Sequence, residues 1–587
     1  MSVRKNPTVK ADLKRAIGWC KATAIFLFFL SGVINLLALT GSFYMLQIYD
    51  RALGSQSIET LVGLSILAVG LYLFQGVLDV SRSQILVRVG ARVDHNLAPL
   101  AHRVMIDMPR FGYSRAESTE RGRDVDVLRQ FVSGQGPVAL LDLPWMPLYL
   151  VFVYLLHPWL AVVVLGGALI LGALTLATEL KTRSLSTDLQ KAAITRAMLS
   201  DTHIRNVEVL RSMGITGRSV KRFDDVNKEH LNLQLKTSDI GGTYSGIAKV
   251  LRMILQSAVL GLGAYFTIKG EMTAGAIIAA SVASARALAP IDQVIGQWKG
   301  FVAARRSFAR LGDTLSALDD SKALVKLPKP KSSLKVEKIT VAAPGSGTVV
   351  VSDMSFTLSA GQGLGLIGAS GSGKSSFSRA VTGVWPVVRG NIRLDNAEIT
   401  HWDPDDLGVH MGYLPQDVSL LDGTVAQNIS RFDPNADSDS IIAAANAAGV
   451  HEMILRMADG YETRLGANGA DMSAGQRQRV ALARAIYGWP FLVVLDEPNS
   501  NLDAEGEAAL TQAIRTLRER GSIVIVIAHR PSALAAVDMV GVMQNGKLAV
   551  FGPKDEVLAS QLKSVQKPAG APTPGEEGDP KWVQRRS

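Results

Sequence analysis

From residue 23 to residue 49 the chain carries no charged side chain. A helix crosses a hydrocarbon core of about 30 Å with ~20 residues, so this run is long enough to span a bilayer. In lipid the backbone has only itself to satisfy its N–H and C=O groups, which makes the run a helix. A secretory signal would have a shorter apolar region ending in small residues at a cleavage site, and the length here argues against one. A second charge-free stretch covers 60–78. A third and a fourth form one block over 143–178, interrupted at His157-Pro158, which reads as a tight extracytoplasmic hairpin. A fifth and a sixth are expected over 249–268 and 274–298, separated by Lys269-Gly-Glu271. Six spans follow.

Lysine and arginine in short flanking loops stay on the cytoplasmic side. Arg4, Lys5, Lys10, Lys14, Arg15 and Lys21 precede the first span, and nine arginines from Arg82 to Arg129 lie between the second and third. The N-terminus and everything after the sixth span are therefore expected inside. The connections 81–136 and 180–239 are too long for loops, and apolar residues such as Leu185, Leu189 and Ile194 recur at helical spacing. The mean hydropathy of +0.19 and the 62 Lys+Arg against 52 Asp+Glu suit a membrane protein facing anionic lipid. Nucleic-acid binding, the other reading of a basic chain, lacks an aromatic-basic reading surface here. The single cysteine, Cys20, excludes an intrachain disulfide.

The last third of the chain is different material. Gly368-Ala-Ser-Gly-Ser-Gly-Lys-Ser375 matches G-x-x-x-x-G-K-[ST] and follows the apolar run Gly363-Leu-Gly-Leu-Ile367, the strand such a loop needs. Glycines let backbone N–H groups turn toward phosphate oxygens, a lysine supplies a charge to the β- and γ-phosphates, and a hydroxyl can ligate Mg²⁺. Gly368, Ser370, Gly371, Ser372, Gly373, Lys374, Ser375 and Ser376 are thus the expected phosphate cradle. Downstream, Phe491-Leu-Val-Val-Leu495 reads as a buried strand ending in Asp496-Glu497. Asp496 is expected to hold the metal through a coordinated water, and Glu497 to act as the general base on the attacking water.

Between these motifs, Asp471-Met-Ser-Ala-Gly-Gln-Arg-Gln-Arg479 resembles the signature sequence of ABC-type ATPases, with Met472 and Ala474 replacing the usual Leu and first Gly. Further landmarks follow in order. Gln416 matches the Q-loop, Ser500-Asn-Leu-Asp503 the D-loop, and His529 the switch histidine. The resemblance implies that Ser473, Gly475 and Gln476 face the γ-phosphate of a nucleotide held by a second subunit, so that ATP is sandwiched in a dimer. It also implies that His529 contacts that phosphate and that Gln416 joins Ser375 and Asp496 around Mg²⁺. Where the family usually stacks an aromatic on adenine, near Ala342-Ala-Pro344, there is no ring.

The expected architecture is an α-helical membrane domain of six transmembrane helices, of the ABC exporter type, fused to an α/β P-loop ABC ATPase domain. The expected divisions are a cytoplasmic segment 1–22, a transmembrane domain 23–316 with long helical extensions, a linker 317–333, the ATPase domain 334–565 and a disordered tail 566–587. One chain is then half of a transporter, which a homodimer is expected to complete, a heterodimer with a related chain being the alternative. Membrane half first, ATPase half second resembles exporters. The segments Met472–Tyr487, Phe491–Asp503 and Arg286-Ala-Leu-Ala-Pro-Ile-Asp292 resemble type I secretion ATPases of the protease-exporter (PrtD-like) branch. That resemblance implies export of unfolded proteins across the bacterial inner membrane, with a periplasmic adaptor and an outer-membrane channel as partners. The alternative is a half-transporter for lipids or amphipathic small molecules. Only about 22 residues precede the first span, so no N-terminal peptidase domain is expected. The resemblance extends to residues 111–117 and 204–215, which would be the tips through which the ATPase drives the spans. Asp142, Arg252, Arg286 and Asp292 lie at or near membrane depth, where ionisable groups are costly unless paired or facing water. Some are expected to line the route of a polar polypeptide. Pro144, Pro147 and Pro290 are expected to kink their helices.

Overall fold

The computed structural model describes residues 18, 20–318, 327–466, 469, 472–528 and 534–565. The expected tail, most of the N-terminal segment, half of the linker, and His529 lie outside them. The chain divides into two compact units, the second beginning shortly after residue 320.

Among the described residues of the first unit six helical segments are long and apolar enough to cross a membrane: Lys21–Ser55, Ile58–Phe111, Gln135–Leu156, Pro158–Arg205, Thr216–Ile268 and Ala274–Thr314. The helix Ile58–Asp107 starts on Ser57, whose hydroxyl accepts the Thr60 N–H. At 1.5 Å per residue it is about 75 Å long, more than twice a hydrocarbon core. Its far end buries Leu97 and Ala101 in a cluster with Val125 and Leu128 of Arg115–Ser133, a helix begun by a reciprocal capping box between Ser114 and Glu117. Between the third and fourth spans His157 is extended and Pro158 opens the next helix, as its fixed φ allows. Asp50 closes the sixth span's entrance by accepting the Gly275 N–H at 3.0 Å and the Thr273 hydroxyl at 2.7 Å.

Ala279, Ala280, Ala283 and Ala287 of the sixth span are wholly buried in a cluster with Val153, Leu160 and Leu171. In lipid, where apolar burial gains little, small residues let helices approach closely enough for dispersion to hold them. Polar contacts add to this. Arg82 Nη1 donates to Asp142 Oδ1 at 2.7 Å and to Ser31 at 3.0 Å, Nη2 donates to Asp79 at 2.6 Å, and Asn35 Nδ2 donates to Asp142 Oδ1 at 2.9 Å. Tyr149 OH donates to the Asn35 carbonyl at 2.9 Å, tying the first three spans together. Arg252 pairs with Asp292. Asp142, Arg252 and Asp292 are therefore each paired with an opposite charge within the chain. Pro144 and Pro147 sit at a break where the 3-10 turn Leu143–Trp145 joins two helices, whereas Pro290 leaves the helix Ala274–Leu318 uninterrupted.

The second unit is α/β. One sheet is antiparallel, in the order β2 (Val349–Ser359), β1 (Ser333–Ala342), β4 (Arg389–Leu394), β5 (Ala397–Glu398). The other runs β12 (Lys547–Pro553), β11 (Met539–Gln544), β3 (Gly363–Gly368), β10 (Ile523–Ile527), β9 (Leu492–Asp496), β6 (Met411–Leu414). A short pair, β7 (Gly423–Thr424) and β8 (Arg464–Leu465), stands apart. From β11 to β6 the strands are parallel. β9 and β10 are buried along their whole length, which is why Leu-Val-Val-Leu and Ile-Val-Ile-Val-Ile are continuously apolar and not alternating. Ile527 pairs with both Leu366 and Asp496. The register thus brings the carboxyl ends of β3, β9 and β10 level, where parallel α/β sheets bind ligands.

Candidate active site

After β3 the chain turns through Gly368, Gly371 and Gly373, with φ of 156°, 77° and 99°, and enters the helix Lys374–Val381 with Gly373 as its N-cap. The middle of that range is closed to most side chains. A Cβ at Gly373 would also stand 2.5 Å from the Val350 carbonyl oxygen. Lys374 is 5% exposed. Its Nζ donates to the Gly368 and Ala369 carbonyls at 2.9 Å each, which bends it back over the concave side of its own loop. Burial pushes the ammonium below the usual lysine range, against the pull of the Glu497 and Asp496 charges.

Asp496 closes β9 at 1% exposure. Its Oδ1 accepts the Ser375 hydroxyl at 3.2 Å and its Oδ2 the Ser378 hydroxyl at 3.0 Å. Burial pushes its carboxyl above the usual range, the two hydroxyls oppose the rise, and the charge of Glu497 adds to it. Glu497 follows at φ 51°, a left-handed conformation costing a non-glycine residue about 1–2 kcal/mol. Its N–H donates to the Ile527 carbonyl at 2.9 Å, which turns the chain as it leaves the strand. Lys374, Ser375, Asp496 and Glu497 thus form one cluster. Ser378 escaped the sequence reading, although it lies one helical turn beyond Ser375 on the same face.

The signature helix, Ala474–Ile486, starts on Ser473. Gln476 N–H donates to Ser473 Oγ at 3.2 Å and Ser473 N–H to Gln476 Oε1 at 2.9 Å, a capping box that leaves the helix's first N–H groups at the positive dipole end. Gly475 has a local reason to be glycine, because a Cβ there would stand 2.8 Å from the Asn501 carbonyl oxygen. Among the described residues no hydrogen bond joins Ser473 or Gln476 to 368–376, and the helix reaches the catalytic turn by another route. Gln478, 2% exposed, donates from Nε2 to the Pro498 carbonyl at 2.5 Å and the Glu497 carbonyl at 3.3 Å. Its Oε1 accepts the Asn501 N–H at 3.1 Å. Arg479 pairs with Asp503 at 2.7 Å, the N-cap of Ala504–Glu519. The Gly506 N–H, together with Arg479, holds Asp503 below the usual carboxylate range.

Arg431 also went unread. At φ 58° it donates to the Arg484, Ala485, Gly408 and Met411 carbonyls at 2.8–3.0 Å, joining the end of the signature helix to the start of β6. Burial pushes its guanidinium down to about 10. Gln416, just past β6, is exposed.

These residues fit a nucleoside triphosphate with Mg²⁺. The glycine turns form a cradle that a Cβ would fill, the lysine is desolvated within it, and the Ser375 and Asp496 oxygens lie close enough to share a hard cation.

Residues 351–500 match the family described as ABC transporter, and residues 23–289 the ABC transporter transmembrane region. The chain is 48% identical to the type I secretion system ATP-binding protein PrsD of Rhizobium meliloti (strain 1021), over 95% of this chain and 96% of that one. It is 26% identical to the toxin RTX-I translocation ATP-binding protein of Actinobacillus pleuropneumoniae, over 90% of this chain and 75% of that one. Among solved structures, a bacterial Atm1-family ABC exporter with ATP bound superposes with a TM-score of 0.79 at 21% identity, covering 95% of this chain and 99% of that one. That likeness concerns the fold alone.

Proposed function

The chain belongs to the type I secretion ATP-binding proteins of the ABC transporter family, and on that footing we propose that two copies form the motor that exports unfolded polypeptide through a periplasmic adaptor and an outer-membrane channel. It is a multi-pass inner-membrane protein with a cytoplasmic ATPase that hydrolyses ATP to drive export. The 48% identity to a type I secretion relative over nearly the whole chain carries the cargo reading.

ATP is the substrate of the cluster around Lys374. Backbone N–H groups from Gly368 to Gly373, helped by the hydroxyls of Ser370, Ser372 and Ser376, bind the phosphates, and Lys374 supplies the charge. Mg²⁺, when bound, neutralises charge developing on the phosphate oxygens. Ser375, Asp496 through a water, and Gln416 would hold it. Glu497 takes the proton of the attacking water as its oxygen bonds to the γ-phosphorus and the bond to the β–γ bridging oxygen breaks, leaving ADP and phosphate. His529 steadies that water. Ser473, Gly475 and Gln476 present a helix N-terminus to the γ-phosphate of the nucleotide on the other copy. Residues 111–117 and 204–215 pass the closure to the spans.

The test is the ATPase activity of the purified protein in nanodiscs, titrated with C-terminal peptides of repeat-toxin-like secreted proteins, then with lipids and amphipathic drugs. A response confined to the peptides supports the proposal. Stimulation confined to lipids or drugs refutes it and makes the chain a small-molecule exporter.

A further inference from the structure

Of the four ionisable groups singled out at membrane depth, Asp142, Arg252 and Asp292 are paired with a charge of opposite sign within the chain. Arg286 is exposed, and among the described residues no carboxylate pairs with it. It lies about 18 Å along the sixth-span helix from its start at Ala274, near the middle of a 30 Å core. An arginine stem reaches about 6 Å, too short to carry its head to either boundary. An unpaired guanidinium cannot stay at that depth in lipid, so it faces water or another polar surface.

Its helix face continues the theme. Gln293 and Gln297 are both exposed, and at seven and eleven residues beyond Arg286 they lie within about 20° of it around a helix advancing 100° per residue. Two turns before Arg286 on the same face Ala279 is wholly buried, so the exposed stripe runs from Arg286 toward the far end of the helix and not back to its start. A second copy related by two-fold symmetry would present the same stripe. Two such arginines facing each other in a dry interface would repel, so the stripe borders an aqueous space between the copies.

We infer that Arg286, Gln293 and Gln297 line the export path and bind the acidic side chains and backbone amides of an extended polypeptide. This rests on the polypeptide-cargo reading above. The guanidinium fork matches a carboxylate with two parallel hydrogen bonds, and the glutamine amides both donate to and accept from a peptide backbone.

The test uses the full-length protein in proteoliposomes, with an unfolded acidic peptide and its neutral Asp→Asn counterpart as probes. In the unsubstituted protein both peptides are expected to change the ATPase rate, the acidic one at about tenfold lower concentration. Arg286→Lys should keep that preference, Arg286→Gln abolish it and Arg286→Glu reverse it, with basal ATPase unchanged. In a Cys20→Ser background, single substitutions Arg286→Cys, Gln293→Cys and Gln297→Cys should react with a charged thiol reagent and be protected by the peptide. Leu169→Cys, exposed among apolar neighbours in the fourth span, should not react. If the peptides act on the unsubstituted protein but Arg286→Gln and Arg286→Glu keep its acidic preference, or the three cysteines fail to react, the stripe is not the path and the cargo reading survives. If the unsubstituted protein ignores both peptides, the cargo reading itself falls.

Discussion

Gln478→Ala should damage catalysis while leaving nucleotide binding nearly intact. The side chain is 2% exposed and fixes both sides of the turn that carries Glu497, through the Pro498 carbonyl at 2.5 Å and the Asn501 N–H at 3.1 Å. Truncation leaves those two backbone groups without their partner. At about 1–3 kcal/mol for each buried orphan, and with relaxation and water recovering roughly half, the braced turn loses about 2 kcal/mol. The left-handed backbone of Glu497, costing about 1–2 kcal/mol, depends on that bracing. A loss of 2 kcal/mol lowers the population of the correctly held base by about thirtyfold. Lys374 and Ser375 belong to another loop and keep their hold on the phosphates. Phosphate release by the reconstituted protein should therefore show kcat down by about ten- to hundredfold with KM for ATP within about twofold. Gln478→Glu adds a check, because its carboxylate confronts the carbonyls of Glu497 and Pro498. Its activity should recover as pH falls and the carboxyl becomes a donor. An unchanged kcat in Gln478→Ala, or a rise in KM alone, would refute the bracing role.

Glu497→Gln should bind ATP and hold the dimer closed with turnover reduced at least about a hundredfold, and undiminished phosphate release would remove Glu497 as the base. Lys374→Ala should abolish measurable nucleotide binding, and retained affinity for a fluorescent ATP analogue would contradict the cradle. Ser378→Ala should cost about 1–2 kcal/mol of stability by removing one of two donors to buried Asp496, visible as a lower unfolding midpoint. Burial raises the Asp395 carboxyl, but the N–H groups of Lys331, Ser333 and Ser332 outweigh it and leave it below its usual range. Because the folded value is the depressed one, its stabilisation is present above the ordinary carboxylate range of about 4 and is lost as pH falls through the folded value. The stability gap between the native chain and Asp395→Ala should close on acidification, and a constant gap would refute the assignment.

What the sequence displayed was whatever local periodicity or spacing encodes. The spans were legible because charge is excluded from them, and the order of Lys374, Asp496 and Glu497 because a strand must precede each motif. The third span begins at Gln135, earlier than its apolar run, because Asp142 interrupts the charge-free stretch and only its partners Arg82 and Asn35 make the interruption tolerable. Gln478 and Arg431 were illegible for a related reason. A polar side chain on a helix or in a turn reads as solvated, and its burial depends on groups tens of residues away. The signature pattern marks Gly475 as a phosphate-facing glycine, and the approach of the Asn501 carbonyl gives it a packing reason too.

The buried cations divide by what satisfies them, and the division follows function. Arg82 meets two carboxylates and the partly buried Arg431 meets four carbonyls, so each fixes the elements around it. Lys374 is bonded to two carbonyls and, at 3.5 Å, to the Ser372 hydroxyl of its own loop, although two carboxylates lie close enough to pull on its proton. Those carbonyl bonds are weak enough to exchange for a non-bridging phosphate oxygen, whose negative charge returns more than the carbonyls gave. A cation held by a carboxylate would have to break an ion pair before binding ATP. The loop avoids that cost because its acids stand on a different strand, where the proposed mechanism has them serve the metal and the water.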